Sequence, residues 1–231
     1  MQNLLRGNLA TVEKRIEQAA LKSGRNAGEI KLVAVSKTHG GEILQAAIEV
    51  GVKSFGENKV QEAAEKIEKL GRENLEWHLI GHLQANKARK AVKLFDVIHT
   101  LDSIELAERL ERICIEENRT SLSVLVQVDL AGEWTKNGVK TTDLPTLTKF
   151  LETCERLKFD GLMTIPPYYE DVEKVRPFFK KLRAVRDEII PHGALSMGMS
   201  HDFETAIEEG ATLIRVGTAI FGERPKKSAA D

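Results

Sequence analysis

The sequence predicts an α/β protein in which a single (β/α)8 TIM barrel follows an extra N-terminal helix. Short β-rich runs alternate with amphipathic stretches of ten or more residues, a pattern typical of parallel strands joined by right-handed helical crossovers. Eight such units occupy residues 31–222. The chain has 231 residues, which falls in the range of roughly 200 to 250 that an α/β barrel commonly takes as one domain.

The leading helix is predicted over residues 1–22. Apolar residues recur at helical spacing from Leu5 to Ala20, and charged residues fill the opposite face. After the breaker Ser23-Gly24 the pattern changes to the alternation described above. The eight strands are then predicted, in chain order, at 31–37, 53–58, 76–81, 95–101, 123–130, 159–166, 194–200 and 212–217.

The segments between the strands carry apolar residues with a helical period. Three of them end in Gly51, Gly71 and Gly210, where a left-handed helix cap is expected. An open doubly wound sheet is the alternative arrangement of the same elements. Its dinucleotide-binding loop, G-x-G-x-x-G, is missing from the segment SKTHGG after the first strand, which favours the closed barrel.

Composition and charge exclude several classes of protein. The 34 Lys and Arg residues balance 35 Asp and Glu residues, for a net charge of -1, so neither nucleic acid nor an anionic membrane is an expected partner. No apolar run approaches the roughly 20 residues that span a bilayer, and charges interrupt the start of the chain before a signal-peptide core can form. We therefore expect one domain, 1–231, whose basic tail at 225–231 is disordered.

The two cysteines, Cys114 and Cys154, lie in segments predicted as helical. They form neither a disulfide framework nor a metal-binding motif, which favours a reducing cytoplasm. His78 and His82 have the spacing of a zinc-protease pair, but they lie on a predicted strand and loop, where this spacing does not place both rings on one face. We expect no metal site.

The first strand brings a lysine to the functional face of the predicted barrel, which is formed by the C-terminal strand ends and the loops after them. The alternation Val33, Val35, Lys37 places the Lys37 side chain on the inward face. Desolvation lowers the pKa of a lysine, so that its neutral amine can condense with an aldehyde. The alternative is a strand-end lysine that simply extends to water.

The loops after the seventh and eighth strands suggest a phosphate site. Ser200 precedes a predicted helix and can present its hydroxyl with the first free N–H groups. Gly217 allows close approach of the backbone, and Thr218 adds a second hydroxyl at another helix start. Phosphate sites of such barrels are frequently built from these two loops. An ordinary helix cap and a plain turn are the alternatives.

A phosphate site at strands seven and eight and an amine at strand one bracket a single pocket, because barrel closure places strand one beside strand eight. Pyridoxal 5'-phosphate (PLP) is the common cofactor that carries both a phosphate and an aldehyde. A phosphosugar aldolase with a Schiff-base lysine fits the same geometry, and positions alone do not separate the two.

Motifs at seven of the eight predicted strand ends resemble those of the pyridoxal phosphate homeostasis protein family. They include VAVSKTH (33–39), FGENKVQEA (55–63), WHLIGHLQANK (77–87), GLMTIP (161–166), SMGMSHDFETAI (196–207) and IRVGTAIFGER (214–224). The resemblance covers nearly the whole chain. It implies the barrel of fold-type III PLP proteins, similar to the N-terminal domain of alanine racemase.

The resemblance also implies a set of cofactor-binding residues: Lys37, Asn58, Met199, Ser200, Arg215, Gly217 and Thr218. Lys37 would hold PLP as an internal aldimine, and the serine, glycine and threonine would bind its phosphate. Arg215 would approach the pyridine nitrogen, which weakens the ring as an electron sink. Two loops depart from the family pattern: SKTHGG lacks the frequent Lys-Thr-x-Pro, and EWTKNG (133–138) is a looser version of the usual Ser-Lys loop.

The function implied by the resemblance is non-catalytic: PLP is held as a lysine aldimine and is buffered or delivered for intracellular vitamin B6 homeostasis. PLP-dependent apoenzymes are the expected recipients, no residue is assigned a catalytic role, and a monomer is expected. A PLP-dependent amino-acid racemase, or another fold-type III enzyme, is the alternative. Racemases of this fold take a second acid/base tyrosine from a C-terminal β domain, and this sequence ends soon after the eighth strand.

Overall fold

Residues 1–132 and 137–223 are described by a computed structural model of the chain. Eight parallel strands close into a barrel in the order β1-β2-β3-β4-β5-β7-β8-β9, with β9 pairing back to β1. The strands are β1 (Lys31–Val35), β2 (Ser54–Glu57), β3 (Glu76–Leu79), β4 (Val97–Leu101), β5 (Leu122–Asp129), β6 (Val139–Lys140), β7 (Leu157–Met163), β8 (Ala194–Met199) and β9 (Leu213–Val216). The predicted α/β barrel is therefore confirmed, and the two-residue β6 beside β5 is an addition that the sequence pattern does not predict.

The helices lie between the strands, as the alternation predicts. They are α1 (Gln2–Lys22), α2 (Gly41–Glu49), α3 (Val60–Leu70), α4 (Ala88–Leu94), α5 (Ile104–Glu116), α6 (Leu144–Leu151), α7 (Arg176–Ile189), α8 (Phe203–Glu208) and α9 (Thr218–Phe221), with single 3-10 turns at Ala27–Glu29, Ala85–Lys87 and Val172–Lys174. The glycines predicted to follow three of them, Gly51, Gly71 and Gly210, have φ values of 109°, 77° and 101°. This left-handed conformation is the one that glycine adopts without steric cost.

Several predicted boundaries are wrong by one to three residues. The first strand ends at Val35 rather than at residue 37, because Thr38 turns the chain with a φ of 71°. The fourth begins at Val97, since the N–H of Phe95 still bonds to the helix carbonyl of Ala91. Helix α6 ends at Leu151, so Cys154 lies beyond it rather than within a helix. Apolar runs do not show where the ladder hydrogen bonds stop, which is why the ends are the least certain part of such predictions.

Two apolar layers form the core. The large outer layer packs the strands against the helices and includes the stacked rings of Phe55 and Trp77, whose centroids are 5.3 Å apart. A small inner layer fills the barrel and consists of Val33, Val97, Leu125, Met163 and Leu213. Other buried side chains on the barrel strands are polar, among them His99 and Arg215. The barrel interior therefore combines an apolar layer with a polar one.

Helix α1 packs against α8 and α9, the helices that follow the last two strands. Its buried face is apolar, and three polar contacts fix its position. The Asn8 side chain donates to the carbonyl of Ile220 (2.8 Å), Arg15 pairs with Glu204 (2.6 Å), and Lys22 pairs with Glu208 (2.6 Å). The extra helix therefore supports the segments in which the sequence predicts a phosphate site.

In the described part of the chain, no helix combines the length and apolar character needed to cross a bilayer. The predicted tail at 225–231 and most of the loop at 133–138 lie outside the described residues.

Candidate functional site

Lys37 lies two residues beyond β1, at the C-terminal mouth of the barrel, and is half-buried. Strand β1 presents Val33 to the barrel interior, and the side-chain alternation of a strand gives Val35 the same orientation. A small cleft opens beside the lysine. It is lined by Val35, Lys37, His39, Gly217, Thr218 and Gly222. The structure thus brings together the predicted lysine and two of the three predicted phosphate residues.

The cleft follows the seam where the barrel closes. Ala34 of β1 is paired with Val216 of β9, so the residues just beyond both strands meet at the same mouth. The backbones are close: a Cβ at Gly217 would lie 3.2 Å from the carbonyl oxygen of Val35. A larger side chain at Gly217 would occupy the cleft. Glycine is therefore favoured here because the two backbones approach closely, and not because the position needs a positive φ.

Ser200 contacts the turn that follows β9, through backbone N–H groups of that turn. Its Oγ accepts hydrogen bonds from the N–H groups of Gly217 (3.1 Å) and Ala219 (3.4 Å). Thr218, between them, begins α9 and lines the cleft. A hydroxyl bonded to two N–H groups at a helix start, beside a second hydroxyl, is an arrangement suited to an anion.

Met199 and Asp202 shape the turn that carries Ser200. The N–H of Met199 donates to Oδ1 of Asp202 (2.7 Å), and the Met199 side chain is 37% exposed at the rim. Burial raises the pKa of Asp202, against the opposing effects of its hydrogen bond from Met199 and of the Arg215 charge. Met199 therefore lies next to Ser200, on the solvent side of the turn.

Gly198, which precedes this turn, is the basis of a first prediction. Its φ is +91°, and an added Cβ would lie 2.6 Å from the Cβ of Ala206 and 3.0 Å from the Cα of Phe203. We expect Gly198→Ala to destabilise the protein by about 2–5 kcal/mol, the sum of left-handed strain and overpacking against α8. Urea denaturation measures this change. Gly7→Ala is the matched control, because Gly7 lies in α1 with open space around it, and it is expected to stabilise by roughly 0.5–1 kcal/mol. Equal effects at the two glycines would contradict the prediction.

Arg215 lies in the polar layer of the barrel interior and is 3% exposed. One guanidinium nitrogen donates to Oγ of Ser196 (2.5 Å), and the other donates to the carbonyl of Thr164 (2.9 Å). Burial lowers the pKa of Arg215 to about 10, although the Asp202 charge opposes the shift. The side chain therefore remains a cation and a pure donor at neutral pH. Thr164, at the predicted end of the sixth strand, contributes its carbonyl to holding this arginine.

Asn58 directly follows β2 and lies on the neighbouring side of the mouth. It lines a separate cavity with Lys59 and His82, and its buried Oδ1 has no hydrogen-bond partner in the described chain. Gly81 permits this packing, because a Cβ there would lie 2.2 Å from the carbonyl oxygen of Asn58. The structure therefore leaves Asn58 with an unused polar atom close to the mouth, outside the cleft that Lys37 lines.

A buried ion cluster under the lysine was not predicted. Lys66 is 5% exposed, and its Nζ bonds to Glu57 (2.6 Å), to Glu62 (2.7 Å) and to the carbonyl of Ser36 (2.8 Å). Glu57 also accepts from the Ser36 hydroxyl (2.6 Å), and Glu62 accepts from the N–H of Thr38 (2.5 Å). The cluster thus fixes the backbone on both sides of Lys37. The i, i+4 spacing of Glu62 and Lys66 is a sequence signal for a pair, but it gives no sign that the pair is turned inward.

The carboxylates of this cluster have opposite pKa shifts. Glu57 is fully buried, and this burial raises its pKa despite the charge and hydrogen bond of Lys66. For Glu62, burial alone would raise the pKa, but the hydrogen bonds from Lys66 and from the Thr38 N–H outweigh it and lower the pKa. Glu57, which ends β2 next to Asn58, is therefore a partner of Lys66.

His78 and His82, which have the spacing of a metal-binding pair in the sequence, lie in different surroundings. His78 is buried in the barrel, whereas His82 lies 3.4 Å from Asp102 at the mouth. Among the described residues, no group of three or more His, Cys, Asp or Glu side chains is placed to hold a metal ion. Both thiols are free. Burial raises the pKa of Cys114 and of Cys154 to about 11, so neither is a reactive thiolate.

A barrel that holds a half-buried lysine after its first strand, beside turns that carry Ser200 and Thr218 after its last two, defines a class of proteins built like the N-terminal barrel of alanine racemase. The sequence profile of the family described as "Alanine racemase, N-terminal domain" matches residues 8–225. The chain belongs to the pyridoxal phosphate homeostasis protein family. The protein of that name from Aquifex aeolicus is 44% identical over 223 residues, covering 94% of this chain and 96% of the other.

Solved structures support the same assignment. A protein of Bifidobacterium adolescentis, 34% identical, superimposes with a TM-score of 0.88 and covers 95% of both chains. PipY of Synechococcus elongatus, solved with PLP bound, is 37% identical, has a TM-score of 0.79, and is matched over 94% of this chain and 100% of its own. The resemblance stated from the motifs is thereby confirmed at the level of the family and the fold.

Proposed function

We propose that this chain binds PLP covalently at Lys37 and holds it for vitamin B6 homeostasis, without turning over a substrate. The observation that carries the proposal is the cleft on the β1–β9 seam, which has the Lys37 amine on one side and Thr218 and Gly217 on the other. Membership of the family and the PLP bound to PipY support the same ligand.

The residues fit the chemical groups of PLP. When bound, PLP supplies an aldehyde with which a lysine amine condenses, losing water. Ser200 and Thr218 offer two hydroxyls to a phosphate, at a turn where the Gly217 N–H donates to the serine Oγ and the missing Gly217 side chain leaves room for close approach. Asn58 and Met199 complete the proposed site, the first with a buried amide oxygen that has no partner in the described chain, the second at the rim.

Arg215 supports holding rather than turnover. We assign its guanidinium to the ring nitrogen, where a permanent donor favours the unprotonated form of that nitrogen. An unprotonated ring withdraws electrons poorly from attached groups, which disfavours the carbanion chemistry of PLP enzymes. The side chain is suited to this assignment because it is buried and fixed by Ser196 and Thr164.

The proposal is tested by trapping the adduct. We expect the purified protein mixed with PLP to gain a visible absorbance band that borohydride removes. Proteolysis and mass spectrometry of the reduced protein should then locate the mass of the reduced pyridoxyl phosphate on Lys37. A protein that stays colourless, or an adduct spread over surface lysines, would contradict the proposal.

A PLP-dependent racemase is the second candidate, and one observation favours it. His39 is buried in the same cleft as Lys37, with its ring 5.0 Å from that of Phe221. The two tyrosines are engaged elsewhere: Tyr168 packs on His201 and Tyr169 on Phe178. Exchange of the amino-acid α-hydrogen in deuterated water separates the candidates, because turnover at typical enzyme rates of about 1 per second or more would favour the enzyme.

The carrier proposal extends to partners and compartment. We propose PLP-dependent apoenzymes as recipients, a monomeric carrier, and the reducing cytoplasm, which suits two free thiols. Incubating the PLP-loaded protein with an apoenzyme, and following the activity that the apoenzyme gains, tests delivery directly. A recipient that gains activity no faster than with the same amount of free PLP would count against a carrier role.

A further inference from the structure

A chain of polar side chains crosses the barrel interior from Arg215 to the opposite mouth. Arg215 donates to Oγ of Ser196 (2.5 Å), which lies 2.8 Å from Nδ1 of His99. Nε2 of His99 is 2.9 Å from Nδ1 of His78, and Nε2 of His78 is 3.2 Å from a carboxylate oxygen of Glu76. The first four residues are at most 3% exposed.

The two ends of this chain fix its direction. The guanidinium of Arg215 has only donors. The hydrogen bond from His78 contributes most to holding the pKa of Glu76 at about 2, so the carboxylate has only acceptors. Between them, the Ser196 hydroxyl accepts from the arginine and donates to Nδ1 of His99. His99 then donates through Nε2 to Nδ1 of His78. The remaining ring proton of a neutral His78 is therefore on Nε2, which lies 3.2 Å from the carboxylate oxygen.

The reverse direction is unfavourable at both ends. It would turn the lone pair of a neutral His78 Nε2 towards the Glu76 carboxylate, and it would leave the Ser196 hydroxyl proton without an acceptor in the described chain. Protonation of His99 is also disfavoured. Burial lowers its pKa well below the ordinary value, and the groups at His78, Arg215 and Lys31 lower it further. All donors therefore point from Arg215 towards Glu76.

The far end of the chain reaches solvent. The Glu76 side chain is 33% exposed and is paired with Lys31 (2.6 Å) at the N-terminal mouth of the barrel. This mouth opens into a cavity that His78 also lines. The Glu76 carboxylate thus lies beside the end of the hydrogen-bond chain, at the mouth opposite Lys37, and each hydrogen bond polarises the next one along the chain.

We propose that Ser196 and His99 are positioning residues for the PLP ring: through a one-way hydrogen-bond chain that ends at His78, beside Glu76, they hold Arg215 as a donor to the ring nitrogen and keep that nitrogen unprotonated. This inference rests on the proposed PLP function. It adds that the protonation state of the cofactor is controlled from inside the barrel, by residues too distant in sequence to be recognised as one group. If the hydrogen-bond chain is broken at Ser196, the Thr164 carbonyl is the remaining hydrogen-bond partner of Arg215 among the described residues.

The test uses full-length protein loaded with PLP that carries nitrogen-15 in the pyridine ring. The nitrogen-15 chemical shift reports protonation of the ring nitrogen directly, and it is followed from about pH 9 to about pH 6. Ser196→Ala removes the hydroxyl that accepts from Arg215 and leaves the Thr164 carbonyl in place. His99→Leu removes both contacts of the imidazole. Ser123→Ala is the matched control, because this barrel serine bonds to Asp160, which is not part of the hydrogen-bond chain.

We expect the wild type and Ser123→Ala to keep an unprotonated ring nitrogen throughout. Ser196→Ala and His99→Leu should shift towards the protonated form as the pH falls, and they should bind PLP on the order of tenfold more weakly, the effect of losing one charge-assisted hydrogen bond. His99→Asn, which keeps an acceptor near Ser196, should restore part of the wild-type shift. A merely structural role would not move the nitrogen-15 signal.

Two outcomes overturn the proposal, and they are distinguishable. If all variants give the wild-type shift at every pH, the chain does not control the ring nitrogen although PLP binds. If the wild type binds no PLP at all, the proposed function itself fails and this inference falls with it. Ser196→Ala removes a single oxygen atom, so it keeps the test decisive even where His99→Leu does not fold.

Discussion

Lys37→Ala is expected to abolish the visible absorbance of the PLP-loaded protein, to remove the borohydride-stable adduct, and to reduce PLP binding to the weak non-covalent level given by the remaining contacts. The reason is that Nζ of Lys37 is the amine in the cleft that Gly217 and Thr218 also line. Absorbance titration with PLP, followed by mass spectrometry of the reduced protein, measures both effects.

Two further variants control for charge and for position. Lys37→Arg keeps a cation in the cleft but cannot condense with an aldehyde, so it should be as colourless as the alanine variant while binding PLP somewhat better. Lys59→Ala removes a lysine that lines the neighbouring cavity of the same mouth, and it should keep the wild-type absorbance. An absorbance band that survives in Lys37→Ala would show that another lysine carries the cofactor.

Lys66→Met is expected to destabilise the protein by about 3–5 kcal/mol at neutral pH, the cost of removing one partner of a buried ion pair. Methionine keeps most of the aliphatic packing of the lysine but leaves the fully buried Glu57 carboxylate with the Ser36 hydroxyl as its remaining donor. Urea denaturation of the unloaded protein measures the loss of stability. We also expect weaker PLP binding, because the cluster holds the backbone of Ser36 and Thr38 on both sides of Lys37.

The penalty of Lys66→Met should shrink as the pH falls. Burial raises the pKa of Glu57 in the folded wild type, and it should raise that pKa further in the variant, because the opposing Lys66 charge and hydrogen bond are gone. Protonated Glu57 favours folding below its unfolded pKa, and this contribution is lost as the pH rises through the folded pKa, so acid should stabilise the variant more than the wild type. The lowered pKa of Glu62 stabilises the wild type above its unfolded pKa, and this stabilisation is lost in acid. Both effects reduce the difference in the free energy of unfolding between the variant and the wild type near pH 4.

A second substitution tests the assignment of that penalty. Glu57→Gln added to Lys66→Met removes the uncompensated charge while keeping the shape of the side chain, so the double variant should recover part of the lost stability at pH 7. A penalty that is the same at both pH values, with no recovery in the double variant, would mean that packing rather than charge is lost at position 66.

Local patterns predicted most of the fold and the centre of the candidate site. The strand–helix alternation is a property of neighbouring residues, and barrel topology then places Lys37 and Thr218 at one mouth. The ends of the strands are harder to predict, because they depend on turns rather than on hydrophobicity. The turn at Thr38, which has a left-handed backbone conformation, is an example. The cleft itself was predicted, but the environment of Asn58 was not, since it depends on the close packing of Gly81.

The residues that sequence reasoning missed act through contacts between distant segments. His78 was considered only with His82 as a metal-like pair, His99 was one of several scattered histidines, and Ser196 was noted only as the first residue of a motif. Their contact depends on which side chains β3, β4 and β8 turn towards one another inside the barrel. Lys66 was one of many lysines on an amphipathic helix, and its burial follows from the position of Glu57 on the adjacent strand. No local pattern encodes such pairings.

The seam between β1 and β9 has a consequence for how the chain is made. Synthesis delivers α1 and β1 first and the partners of both, α8, β9 and α9, last, so the barrel closes over nearly the full length of the chain. Closing so long a loop costs entropy before its contacts form, which slows folding. A ligand that spans the cleft joins the first-made and last-made segments, so loading with the vitamin would stabilise the step that completes the fold.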